Sequence, residues 1–322
     1  MSALCDDASG CGFTDEIDGT LCGPDDCRVS SVDVCISGTC TSRARPATGR
    51  CTNTWLPLNA SPHEASVAWD PITRETLMLG SAPRSTNTTW GWDGQRWSLH
   101  LPPATPPDRE RYQLVTDTQH NTVLLFGGQG FNDTWEWDGA TWRERRPTTS
   151  PPTRVGFAMA FDERRGRAVL FGGLATGHLD DTWEWDGRNW IEMHPAHKPT
   201  ARQFHAMAWD PLRRRVLMFG GTNDFSFHQQ LADTWEWDGG DWVQRSSGGV
   251  PMRAFHGMTW DPIGSVMLAF GGYTGDANAN STIAWDGTSW TTRVTPQPPP
   301  FANGTILATD LHRNRAFCVE VP

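Results

Sequence analysis

Residues 233–242 read Asp233-Thr234-Trp235-Glu236-Trp237-Asp238-Gly239-Gly240-Asp241-Trp242. Side chains alternate along a β-strand, so Trp235 and Trp237 share one face and Glu236 takes the other. Asp238 to Asp241 supply a four-residue hairpin, and Trp242 opens the returning strand. The same Trp-Asp-Gly-x-x-Trp pattern occurs at Trp92 to Trp97, Trp137 to Trp142, Trp185 to Trp190 and Trp285 to Trp290. The steps between successive Asp residues are 45, 48, 52 and 48. Self-similarity at a fixed period of this length marks a repeat architecture.

Outward from this hairpin, each copy is preceded by a strand ending in glycine: Leu79-Gly80, Phe126-Gly127-Gly128, Phe171-Gly172-Gly173, Phe219-Gly220-Gly221 and Phe270-Gly271-Gly272. Before that comes a strand ending in Asp70, Asp117, Asp162, Asp210 or Asp261. In the fourth copy strand a is expected from Phe204 to Trp209, strand b from Val216 to Phe219 and strand c from Asp233 to Trp237, with strand d starting at Trp242. Asp210-Pro211 suits the a–b turn, because Pro pre-sets φ and Asp accepts from the backbone ahead of it. Four strands at this spacing form one blade of a β-propeller. Composition agrees: 18 Trp, 32 Gly and 23 Pro in 322 residues, with no sustained 3.6-residue periodicity, favour short strands joined by tight turns.

The diglycine after strand b, the Arg-x-x-His of Arg202/His205 and Arg253/His256, and the Trp opening strand d resemble the kelch repeat, whose units run to about 50 residues. The resemblance covers residues 61–322 and implies an all-β, six-bladed kelch-type β-propeller. Its sixth blade is expected to be split. Phe301 to Asp310 matches strand a, Arg315 to Val319 matches strand b, and Trp55-Leu56-Pro57-Leu58 matches a strand d. The propeller is therefore assigned to residues 51–322, with residues 51–60 and 300–322 sharing the closing blade. Joining the ends in this way leaves no open sheet edge.

Residues 1–50 form a separate cysteine-rich segment. Seven of the eight cysteines are Cys5, Cys11, Cys22, Cys27, Cys35, Cys40 and Cys51, in a stretch too poor in large apolar residues to build a core. Disulfides are the expected support, which points to an extracellular or periplasmic protein whose export signal is absent from this sequence. The segment resembles the short cysteine-rich modules of secreted bacterial proteins. Zinc competes for such clusters, but the Cys-x4-Cys spacings and the absence of His before His63 fit it poorly. If all eight cysteines are oxidised within one chain, Cys318 bonds to one of the seven, and a shared sixth blade makes Cys51 the expected partner. A buried free thiol at Cys318 is the alternative. No apolar run reaches 18 residues, so no membrane-spanning helix is expected. The net charge of −10 disfavours nucleic acid. A monomer is expected.

Candidate functional residues follow from the repeat. Strand a of a propeller blade lines the central channel, and the d–a and b–c connections share one face. Arg109, Arg154, Arg202 and Arg253 each stand eight residues before their turn Asp, at the channel mouth. They are expected either to pair with Asp133, Asp181 and Asp233 at the start of strand c or to form a rim that seeks anions. His205 and His256 lie three residues further in, where other blades carry Ala65, Tyr112, Phe157 and Thr305. With Asp224 or His228 from the long loop Thr222 to Asp233, they could hold a metal. No cofactor is otherwise expected, apart from a structural calcium. The long loops Thr222 to Ala232 and Tyr273 to Ser281 overlie the same mouth. Every Trp occupies a repeat position, so packing accounts for them better than sugar binding does. The expected function is an extracellular recognition module whose loop face binds a glycan or a protein surface. The alternative, by likeness to kelch enzymes that epimerise sialic acid, is a sugar-acid-processing enzyme with Glu64, Glu110 or His205 moving the proton.

Overall fold

The computed structural model describes residues 66–293 except 83–84, 95, 276–278 and 280, the strands Ile306–Asp310 and Arg315–Val319, and the backbone of Ser2–Asp6, Gly10–Thr14 and Cys51–Thr54. Every regular element among the described residues is a strand. The first blade comprises Ser66–Asp70, Glu75–Ala82, Ser85–Trp92 and Trp97–His100, and the second Gln113–Asp117, Thr122–Gly128, Phe131–Trp137 and Trp142–Arg145. The third comprises Ala158–Asp162, Arg167–Leu174, His178–Trp185 and Trp190–Met193. Ala206–Asp210, Arg215–Phe219, Thr234–Trp237 and Trp242–Ser246 make the fourth. Gly257–Asp261, Val266–Phe270, Thr282–Trp285 and Trp290–Arg293 make the fifth. In each blade the strands, a to d in chain order, are antiparallel neighbours.

The turns close as the repeat dictates. Asp210 Oδ1 accepts the Leu212 and Arg213 amides at 3.0 and 2.9 Å, which fixes the a–b hairpin. Asp238 Oδ1 accepts the Gly240 and Asp241 amides at 2.8 and 2.9 Å, which fixes the c–d hairpin. An Asp side chain thereby substitutes for a backbone carbonyl, and this is why the residue recurs at both corners.

Blades are joined by apolar packing and by one repeated hydrogen bond. Ala158, Val169 and Phe171 of the third blade pack on Met207, Val216, Met218, Trp237 and Trp242 of the fourth. In the second to fifth blades the Trp opening strand d donates its indole N–H to the Thr that stands just before the Trp-x-Trp of strand c in the preceding blade. These bonds are Trp142 to Thr89, Trp190 to Thr134 and Trp242 to Thr182, each 2.9 Å, and Trp290 to Thr234, 2.8 Å. Trp137, Trp142, Trp185, Trp190, Trp237, Trp242 and Trp285 are at most 1% exposed, so these rings serve the blade interfaces, as the repeat positions implied. Each buried indole contributes on the order of 2–3 kcal/mol of apolar burial.

The expected count of six blades is corrected to five complete ones. Ile306–Asp310 and Arg315–Val319 pair with each other as a two-stranded sheet, and no third strand is hydrogen-bonded to them among the described residues. Cys51–Thr54 pairs instead with Ser2–Asp6, within a three-stranded sheet that also contains Gly10–Thr14. The ring nevertheless closes: each strand a packs against the next, and Ile306–Asp310 lies between strand a of the fifth blade and strand a of the first. The Cys51 and Cys318 side chains, and residues 55–60 and 300–305, lie outside the described residues. No helix among the described residues is long and apolar enough to cross a membrane.

Candidate functional site at the channel mouth

The diglycine that ends strand b positions the mouth. In the fourth blade Gly220 and Gly221 have φ of 68° and 94°, a region that glycine enters without steric cost. A Cβ on Gly220 would lie 2.5 Å from the Arg253 carbonyl, and one on Gly221 would lie 2.8 Å from the Gln203 carbonyl. The freed Gly221 N–H donates to that Arg253 carbonyl at 2.9 Å. Gly172-Gly173 does the same with the Arg202 carbonyl, so the third- and fourth-blade diglycines grip the arginine segment of the next blade.

Three of the four arginines are fully employed. Arg109 donates through Nη1 and Nη2 to both oxygens of Asp133 at 2.5 and 2.8 Å. Arg154 does so to Asp181 at 2.6 and 2.7 Å, and Arg202 to Asp233 at 2.6 and 2.7 Å. Their Nε atoms donate to the carbonyls of Pro107, Pro152 and Thr200. Trp135, Trp183 and Trp235 donate their indole N–H groups to the same three carboxylates, each at 2.7 Å. Burial opposes ionisation of Asp133, Asp181 and Asp233, but these bonds outweigh it and hold all three carboxyls below their usual range. In the fifth blade Ser281 replaces the acid, and Arg253 has no carboxylate partner among the described residues.

His205 and His256 are buried, with neither imidazole nitrogen in a normal hydrogen bond among the described residues. Burial and the Arg202 charge push His205 down to about 3, against weaker opposition from Asp233 and a backbone hydrogen bond to Phe171. Burial, Arg253 and His205 push His256 the same way. Both therefore stand as neutral rings, edge-on to Phe171 and Phe219 respectively. Tyr112, their counterpart in the second blade, is also buried, which raises its phenol well above the usual value. Glu110 is exposed, and Glu64 lies outside the described residues.

The long fourth-blade loop is self-anchored. Asp224 accepts from the Ser226 amide and hydroxyl and from the amides of His228 and Gln229, and these bonds lower its carboxyl to about 2. Asp224 is thereby committed to its own turn, and His228 is exposed. Among the described residues no three His, Cys, Asp or Glu side chains converge to hold a metal ion.

What the residue pattern did not single out is a phenylalanine cluster. Phe204 and Phe255, immediately before the two histidines, stack at 3.9 Å with 27° between rings, and Phe227 from the long loop packs on them at 6.0 and 5.6 Å. All three are partly exposed and hold φ of 56° to 59°. Arg111 and Gly156 hold φ of 59° and 65° at the matching position of the second and third blades. A backbone chain runs around the throat, from the Phe255 N–H to the Phe204 carbonyl at 2.9 Å and from the Phe204 N–H to the Gly156 carbonyl at 2.7 Å. Nearby, Phe225 is 64% exposed and contacts His178 at 4.2 Å. The signal was present as Arg-x-Phe-His at 202–205 and 253–256, where glycine would suit the backbone better.

Compared with known proteins, the chain matches no family model and no curated sequence.

Proposed function

We propose that this protein is an extracellular recognition module of the kelch type, and that its loop face binds a glycan over the fourth and fifth blades. The observation that carries the reading is the partly exposed Phe204/Phe255/Phe227 stack. A bulky residue at positive φ costs of order 1 kcal/mol, and strain of this kind concentrates where a ligand is held. The third blade meets the same backbone requirement with Gly156, so the fold itself does not demand an aromatic ring there. Flat aromatic faces suit the C–H faces of a sugar ring, and the interface tryptophans Trp137, Trp142, Trp185, Trp190, Trp237, Trp242 and Trp285 are too deeply buried to do that work. The kelch assignment rests on the diglycine, the Arg-x-x-His and the spacing of the repeats. Export is supported by the seven cysteines of the first 51 residues, and we place the Cys51–Cys318 disulfide in the same proposal.

A glycan array read with the wild type and with Phe255→Gly tests the binding surface. Glycine relieves the backbone strain but removes the packing of the ring on Phe204 and Phe227, so the variant is expected to stay folded with a melting temperature a few degrees lower. Its affinity for the array hits is expected to fall at least tenfold. Unchanged binding by the variant, or an array with no saccharide hit, overturns the reading.

A further inference from the structure

The arginine–aspartate pair at the mouth is built three times and broken once. Asp133, Asp181 and Asp233 stand one residue before Thr134, Thr182 and Thr234, the residues that pair with the last Phe of strand b. Ser281 holds that register in the fifth blade, one residue before Thr282. Arg253 keeps the arginine position: Nη1 reaches the Gly271 carbonyl at 3.2 Å, as the other three reach Gly127, Gly172 and Gly220 at 2.9 to 3.0 Å. Its remaining acceptors are the Ser281 carbonyl and hydroxyl at 3.2 and 3.3 Å, and Nε has none among the described residues. Arg253 is 0% exposed, and burial lowers its pKa only to about 10, so it is cationic at neutral pH. A buried cation without a counter-ion is costly, and an added carboxylate relieves that cost.

The place of the missing carboxylate can be reached from solvent. The three arginine side chains are 0% exposed, whereas their aspartates are 22%, 21% and 16% exposed. Each acid therefore approaches its guanidinium from the open face. Ser281, whose oxygen reaches one bond less far, is partly exposed at the same place. A planar guanidinium matches a carboxylate with two parallel hydrogen bonds, which favours that group over a tetrahedral anion or a halide. Phe255 of the aromatic stack lies only two residues from Arg253 along the chain.

We propose that Arg253 is the receptor for the carboxylate of an acidic sugar, a uronate, which takes at the fifth blade the place that Asp133, Asp181 and Asp233 take in the others. This assignment rests on the glycan-binding reading and names its ligand class. One carboxylate in the chain competes for the role: Asp276, in the same b–c loop and outside the described residues.

The test measures thermal unfolding and calorimetric binding at pH 7 and constant ionic strength, with sodium glucuronate, sodium acetate, glucose and sodium chloride. The wild type, Ser281→Asp, Ser281→Asn and Asp276→Asn are compared. Ser281→Asp supplies the internal carboxylate, so it is expected to melt higher without ligand and to bind glucuronate at least tenfold more weakly than the wild type. Ser281→Asn, of similar size but uncharged, is expected to keep the glucuronate response, which separates charge from bulk. Acetate above chloride is expected to raise the wild-type melting temperature and to leave Ser281→Asp unmoved. Equal responses of wild type and Ser281→Asp to both carboxylates overturn the proposal. If glucose still binds in that case, the glycan-binding reading survives; if no sugar binds, it fails too. A carboxylate response that appears only in Asp276→Asn assigns Arg253 to the chain's own Asp276 and likewise overturns the proposal.

Discussion

Replacing Thr182 by valine removes one acceptor from the bond that ties each blade to the next. Thr182 Oγ1 accepts the Trp242 indole N–H at 2.9 Å, and both residues are at most 1% exposed. Valine has nearly the same shape as threonine, so no cavity opens, and the effect is confined to an indole N–H left buried without a partner. Such an orphan costs about 1–3 kcal/mol. For a unit of this size that is a fall of about 3–9 °C in melting temperature. Thr282 is the internal reference. It occupies the same place in the fifth blade and is equally buried, but its hydroxyl has no partner among the described residues. Thr282→Val is therefore expected to be neutral or slightly stabilising. Unfolding of the two variants by heat and by urea makes the comparison. A neutral Thr182→Val would refute the account of how blades are joined. Equal and large losses in both would show that Thr282 has a donor outside the described residues, where the sequence offers Trp55.

Stability should fall in mild acid, because the folded protein keeps His205 and His256 neutral while the unfolded chain takes up protons near pH 6.5. Their contribution is complete above that pH and is lost as pH falls towards the depressed folded values, at about 1.4 kcal/mol per pH unit for each ring. The carboxyls of Asp133, Asp181 and Asp233, held below 3.8, add their own loss only beneath that value. Urea midpoints between pH 4.5 and 6.5 lie above that value; there His178, also lowered by burial, adds to the loss, while Glu163 and Glu184, raised by burial, oppose it, so the share of each ring is read from its own variant. His205→Phe, the residue found as Phe157 in the third blade, should reduce the slope by about one proton; an unchanged slope would show that His205 is not the group responsible. Separately, Asp224→Ala should speed amide exchange across residues 222–229 while leaving the melting temperature unchanged, because its four hydrogen bonds stay within that loop. Unaltered exchange there would mean that the loop is held by its packing alone.

The repeat made most of the scaffold legible because each of its residues answers a local demand. Asp210 and Asp238 close turns with their own side chains. Gly220 and Gly221 occupy positive φ beside foreign carbonyls. Trp242 fills and bonds the neighbouring blade. The pairing of Arg202 with Asp233 was legible for the same reason, since both recur in register. The blade count was not, because strand-like residues at 306–319 reveal a hairpin but not whether a third strand joins it. The site was hardest to read for a physical reason: it consists of departures from the repeat, and a departure has meaning only against the geometry it violates. Phe204 and Phe255 look like ordinary apolar residues until Gly156 shows that the backbone there is left-handed. Ser281 looks like an ordinary loop residue until three bidentate pairs show what Arg253 lacks. In a propeller built from near-identical blades such departures are the candidates for specificity, and here the strained phenylalanines of the fourth and fifth blades accompany the one arginine that lacks a carboxylate partner among the described residues.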